Sequence, residues 1–199
     1  MSIVDRIAKN SQLIDTVGFC GGEPTLQEPA LLDICQRVRA LGQEVFINTN
    51  GTRPAVIGRL VSEGLLNFLT LDVKAPLDPP DYQEVIGILD PEGTVVNRVK
   101  ETLRICRDMR ISLEVRTTVV PTLTDDEDFV KRIAGDIPPD VKYVLQQYSS
   151  EGDILDERFK RVMSPSRQRM LELARTAAHE GLSDVYIRTR DSGQERVTV

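Results

Sequence analysis

Short runs of β-branched and aromatic residues alternate along this chain with longer segments in which apolar residues recur every three or four positions. The short runs cover residues 16–20, 44–49, 68–74, 112–120, 142–148 and 184–190. The helical periods lie near 3–13, 29–41, 54–63, 95–109, 125–137 and 165–180. Strand patterns separated by helical ones predict βαβ units and a parallel sheet. Gly42, Gly64 and Gly181 stand where C-terminal caps belong. Ser164-Pro165 reads as an N-cap followed by proline at the first helical position, and Thr124 with Glu127 as a capping box. Residues 75–93 contain Pro76, Pro79, Pro80 and Pro91 and predict an extended loop at the end of the third strand, where functional loops cluster.

Within the strands a second pattern appears. Side chains two apart share a face, so one set faces helices and the other faces inward. Here the second set is polar: Asn48 and Asn50; Thr70, Asp72 and Lys74; Glu114, Arg116 and Thr118; Gln146. A closed eight-stranded barrel fills its axis mostly with Val, Ile and Leu. An interior built from these residues is expected to be wet or filled by a ligand, and in parallel α/β folds ligands bind at the carboxyl ends of strands. Each pair taken alone equally fits the solvent face of a half-exposed sheet. Lys74 beside Asp72 fits three roles: a Schiff-base lysine, a countercharge for a ligand carboxylate, or an ion pair with Asp72. We favour the ligand carboxylate.

Composition narrows the classes. With 199 residues, 40% of them hydrophobic and 28% charged, the chain suits a single domain spanning 1–199. No run of apolar residues is long enough to span a bilayer, and the first residues lack the apolar core of a secretory signal, so membrane partners are not expected and the cytoplasm is the expected location. A net charge of −6 with dispersed Lys and Arg argues against nucleic acid. Cys20, Cys35 and Cys106 show no metal-ligand spacing, and the last two, with His179, read as structural residues of helices.

Directly behind the first strand stands Cys20-Gly21-Gly22-Glu23-Pro24-Thr25. Two residues without Cβ let backbone amides and carbonyls lie against a ligand, and the Glu23 carboxylate can accept hydrogen bonds from an ammonium group. The plain alternative is a glycine turn before a helix. The stretch resembles the GGEP motif of radical S-adenosylmethionine (SAM) enzymes. It is followed by Asn48-Thr49-Asn50-Gly51, Leu71-Asp72-Val73-Lys74, Val115-Arg116-Thr117-Thr118-Val119-Val120-Pro121 and Leu145-Gln146-Gln147-Tyr148, in the order seen in glycyl-radical activating enzymes. The chain is most similar to those of anaerobic ribonucleotide reductase and pyruvate formate-lyase.

That resemblance implies an incomplete parallel (βα) barrel of the radical SAM type with its first strand missing. It implies SAM and a 4Fe-4S cluster as cofactors, a 5′-deoxyadenosyl radical that abstracts hydrogen, a glycyl-radical enzyme as partner, and flavodoxin or ferredoxin as electron donor. By resemblance Glu23 and the backbone of Gly21 and Gly22 hold the SAM amine, Asn48 or Asn50 the ribose or carboxylate, Asp72 and Lys74 the methionyl end, and Arg116 the carboxylate. The family's cluster motif, C-x-x-x-C-x-x-C, has no counterpart in the sequence as written, and Cys20, Cys35 and Cys106 are not expected to replace it. A late start, a cut, gene decay and a true binding module without redox chemistry all fit. The rival functions are a non-catalytic SAM-binding or partner-docking module and a Schiff-base lyase using Lys74.

Overall fold

The computed structural model describes residues 2–151, 154 and 156–198. Its seven strands are β1 (Thr16–Phe19), β2 (Glu44–Thr49), β3 (Phe68–Asp72), β4 (Ser112–Val119), β5 (Lys142–Gln147), β6 (Asp184–Thr189) and β7 (Gly193–Arg196). They form a mostly parallel sheet in sequence order, open rather than closed, as expected for an incomplete barrel. The helices are α1 (Ile3–Lys9), α2 (Glu28–Ala40), α3 (Pro54–Ser62), α4 (Pro79–Ile86), α5 (Thr94–Asp108), α6 (Glu127–Asp136) and α7 (Arg167–His179). None of the described helices is long and apolar enough to cross a membrane. The chain divides into two compact units, one running to Asp72 and including Asn97–Glu114, the other comprising Val73–Val96 and the chain from Val115.

In the first unit β1, β2 and β3 run parallel, with Gly18 beside Phe46 and Phe46 beside Phe68. Period-two alternation sends Val45, Ile47, Leu69 and Leu71 into the helix layer, where all four are fully buried with Cys35, Val38, Ile57, Leu60 and Val99. Each such side chain contributes up to about 1.5–3 kcal/mol when buried. The opposite face begins with aromatic rings: Phe46 packs edge-on to Phe68 at 6.5 Å. Gly18 makes room for them, since a Cβ there would sit 2.1 Å from Phe46 Cζ. This face of the unit is therefore layered, aromatic at the bottom and polar above.

The second unit is built on β5 and β6, parallel, with β7 folded back antiparallel on β6. Tyr143, Leu145, Ile187, Ile133, Met170 and Leu173 form its core. The buried Tyr143 hydroxyl donates to Thr117 Oγ1 (3.0 Å), which donates in turn to the Val73 carbonyl (2.7 Å). This chain gives a buried phenol its required partner.

Several expectations need correction. The proline-rich stretch 75–93 is not loop throughout: Pro79 and Pro80 open α4, Asp78 caps it by accepting from the Asp81 amide, and Gly87 ends it at φ 65°. Proline in a first turn lacks only an amide hydrogen that would have had no partner. The N-caps also fall elsewhere. Ser166, not Ser164, caps α7, and Asp126, not Thr124, caps α6. Thr124 Oγ1 instead accepts from the Val120 amide and donates to the Thr118 carbonyl, closing the turn after β4. The first helix ends at Lys9, leaving Leu13 exposed. Gly42, Gly64 and Gly181 do sit at helix ends, with φ of 82°, 67° and 103°.

Candidate functional site

The site of the first unit is built where β1 and β2 end. Gly21 and Gly22 follow β1 at φ 91° and 52°, a backbone region costly for residues with a Cβ, and nothing lies within 4 Å of where their Cβ atoms would be. The two positions leave an open cradle rather than a packed turn. A groove of about 420 Å³ runs beside it, walled by Phe19, Cys20, Gly21, Pro24 and Leu31.

Glu23 caps a 3-10 turn, Pro24–Gln27, and its carboxylate gathers four donors. Oε1 accepts from the Thr25 amide (3.1 Å), the Thr25 hydroxyl (2.6 Å) and the Thr49 hydroxyl (2.8 Å). Oε2 accepts from the Asn50 amide at 2.7 Å. Hydrogen bonds to a carboxylate are among the stronger ones in proteins. The loop after β1 is thus locked onto the end of β2 across 26 residues of sequence. Thr25 and Thr49, both buried, were not singled out from sequence; the only signal was a hydroxyl residue beside each motif residue.

The other expected residues of this unit take distinct positions. Asn50 turns its side-chain oxygen back to the amide (3.0 Å) and hydroxyl (2.7 Å) of Thr52 and offers its own amide to Glu23. Asn48 and Thr70 are register partners on β2 and β3, one layer above Phe46 and Phe68. Asn48 Oδ1 and Thr70 Oγ1 are buried without a hydrogen-bond partner. Buried polar atoms left so are rare, and each calls for an explanation such as a ligand or a water molecule. Asp72 ends β3, half-buried, on the same face by alternation.

Lys74 and Arg116 belong to the second unit. The Lys74 side chain is exposed and that of Arg116 half-buried on β4, while the adjacent backbones are joined by the Val73 amide donating to the Arg116 carbonyl at 2.9 Å. Within the same unit a cavity of about 600 Å³ opens near the ends of β4 and β5, walled by Val85, Val120, Leu123, Tyr148 and Phe159.

The cysteines do not converge. Cys20 is exposed at the end of β1, while Cys35 and Cys106 are buried in α2 and α5. Burial pushes the Cys35 thiol up to about 11 and the Cys106 thiol up to about 12, opposite to the thiolate a metal needs. Among the described residues no three His, Cys, Asp or Glu groups gather as for a metal ion. The glycine cradle and the orphaned Asn48 and Thr70 oxygens fit a polar organic ligand such as SAM; the thiols do not fit an iron–sulfur cluster.

The sequence matches the model of the radical SAM superfamily over residues 2–133, and the chain belongs to that superfamily. It is 33% identical over 175 residues to a glycyl-radical enzyme activating enzyme of Methanocaldococcus jannaschii, covering 88% of this chain and 71% of that protein. Among solved structures it resembles a domain of pyruvate-formate lyase-activating enzyme from Bacteroides vulgatus, with a TM-score of 0.66 at 18% identity over 87% of this chain and 98% of that one. It also resembles a radical SAM methyltransferase from Sphaerobacter thermophilus, with a TM-score of 0.71 at 13% identity over 93% of this chain and 54% of that one. These structural likenesses speak to the fold.

Proposed function

We propose that this chain binds SAM and serves a reaction of the glycyl-radical activating type. The observation that carries the reading is the braced cradle of Gly21 and Gly22, in a radical SAM chain 33% identical to a glycyl-radical enzyme activating enzyme. Gly21, Gly22 and Glu23 hold the methionyl ammonium. Asn48 or Asn50 meets the ribose or carboxylate, and Asp72 the methionyl end. Bound SAM would supply a 5′-deoxyadenosyl radical when one electron from outside this chain's own thiols cleaves its sulfonium C–S bond and releases methionine, and that radical would take a hydrogen atom from a glycine of the partner, a glycyl-radical enzyme. Flavodoxin or ferredoxin is the proposed electron source, and no electron-transfer step is assigned to Cys20, Cys35 or Cys106.

The methionyl ammonium needs a countercharge in a partly desolvated site. A charge-assisted hydrogen bond contributes about 1.5–3 kcal/mol, so Glu23→Gln weakens SAM binding about tenfold to a hundredfold in titration calorimetry. Cys20→Ala leaves it unchanged. Equal SAM affinity in wild type and in Glu23→Gln refutes the placement. The scattered cysteines favour a second reading, a SAM-binding or partner-docking module without redox chemistry. Formation of 5′-deoxyadenosine from SAM under dithionite, after anaerobic reconstitution, separates the two.

A further inference from the structure

We propose that Thr49 is a positioning residue that fixes the direction of the Glu23 carboxylate and thereby sets the preference of the site for a ligand carrying a primary ammonium group. The inference rests on the SAM reading above and adds to it a residue that acts only through another.

The hydrogen-bond directions carry the argument. A hydroxyl has one proton and two lone pairs. Thr49 Oγ1 accepts from the Gly51 amide at 3.1 Å, so its single proton is free for Glu23 Oε1 at 2.8 Å. Thr25 likewise gives its hydroxyl proton to the same oxygen at 2.6 Å, beside its own amide at 3.1 Å. Oε1 is therefore saturated. Oε2 holds one donor, the Asn50 amide at 2.7 Å. Each carboxylate oxygen carries two lone pairs, so the open acceptor position lies on Oε2.

Thr49 also acts from a protected side. It shares the face of Val45 and Ile47, the face packed against helices, and is 4% exposed. A ligand on the opposite face, where Asn48 and Thr70 present unpartnered oxygens, cannot displace it. Loss of the hydroxyl leaves the carboxylate three of its four donors and strands the Gly51 amide as well. Because Glu23 is then less firmly aimed, the loss should fall on the ammonium-bearing end of a ligand and not on its nucleoside end.

Two probes separate those ends: S-adenosylhomocysteine carries the amino acid, and 5′-methylthioadenosine lacks it. Calorimetric titration of the full chain should show tighter binding of S-adenosylhomocysteine. Thr49→Val should weaken that binding about tenfold, as expected for the loss of one charge-assisted bond, and leave 5′-methylthioadenosine unchanged. Thr49→Ser, which restores the donor, should recover most of the difference. A Thr49→Val variant that weakens both probes equally has a merely structural residue, and one that weakens neither has an idle one; both results overturn the proposal. If Thr49→Val does not fold, Thr49→Cys, with a weaker donor of similar size to serine, takes its place under the same criteria. Wild-type protein that binds neither probe refutes the SAM reading and this proposal with it. Equal wild-type binding of both keeps the nucleoside site and refutes the ammonium placement alone.

Discussion

Gly51 closes the turn after β2, and Gly51→Ala should be among the most destabilising small substitutions in the first unit. Its φ is 75°, and an added Cβ would meet Leu71 Cδ1 at 2.5 Å, Val99 Cγ2 at 3.6 Å and Thr102 Cβ at 3.7 Å. Carbon atoms prefer separations of about 3.5–4.0 Å, so the first contact is about 1 Å too short. Leu71, Val99 and Thr102 are fully buried, and Thr102 is tethered by its hydroxyl donating to the Gly51 carbonyl at 2.8 Å. The left-handed backbone costs an alanine about 1–2 kcal/mol. Overpacking adds about 1–3 kcal/mol, and the stiffer unfolded chain returns about 0.4–1 kcal/mol. The net loss is about 1–5 kcal/mol. Gly42 is the internal control, with φ 82° and nothing within 4 Å of its added Cβ, so Gly42→Ala should cost only the backbone part, about 1 kcal/mol. Urea unfolding followed by circular dichroism measures both. Equal losses in the two variants would refute the packing argument, whatever their size.

Two further outcomes follow from the thiols. With a disulfide reagent in native buffer, Cys20 should react at once and Cys35 and Cys106 only at the rate of unfolding. A second rapidly reacting thiol would contradict the burial of α2 and α5 against the sheet. Both buried thiols have raised folded-state values, so they contribute stability fully below their ordinary value of 9.0 and lose it as pH rises toward about 11 and 12. The buried Tyr143 hydroxyl, also pushed up, adds to the fall above its ordinary 10.0. Between pH 9 and 10 the decline should therefore flatten in a Cys35→Ala, Cys106→Ala double variant, and an unchanged slope would assign it elsewhere. Anaerobic reconstitution of the chain as written should leave it without stoichiometric iron and sulfide, because a cluster needs several converging thiolates. Visible charge-transfer absorbance with matching iron content would overturn this.

Much of the architecture was legible because it depends on short-range chemistry. The β2 pattern at 44–49 alternates so cleanly that strand and helix-facing set both followed from it, and Gly42, Gly64 and Gly181 marked helix ends through backbone freedom alone. Gly21, Gly22 and Glu23 could likewise be marked as a candidate loop, since what a residue lacks or carries is a local fact. Pro79 and Pro80 misled because proline breaks helices everywhere except the first turn, and only the Asp78 cap shows that these stand in one. The glycine and three polar residues of β7 become a strand solely through pairing with β6. Tertiary structure alone also decided what the Glu23 carboxylate does. Thr49 reaches it from 26 residues away, and the Asn50 amide from 27. Periodicity and turn chemistry determine which local structure each segment adopts, whereas the bonds that aim a half-buried carboxylate exist only after the sheet has brought distant strand ends together.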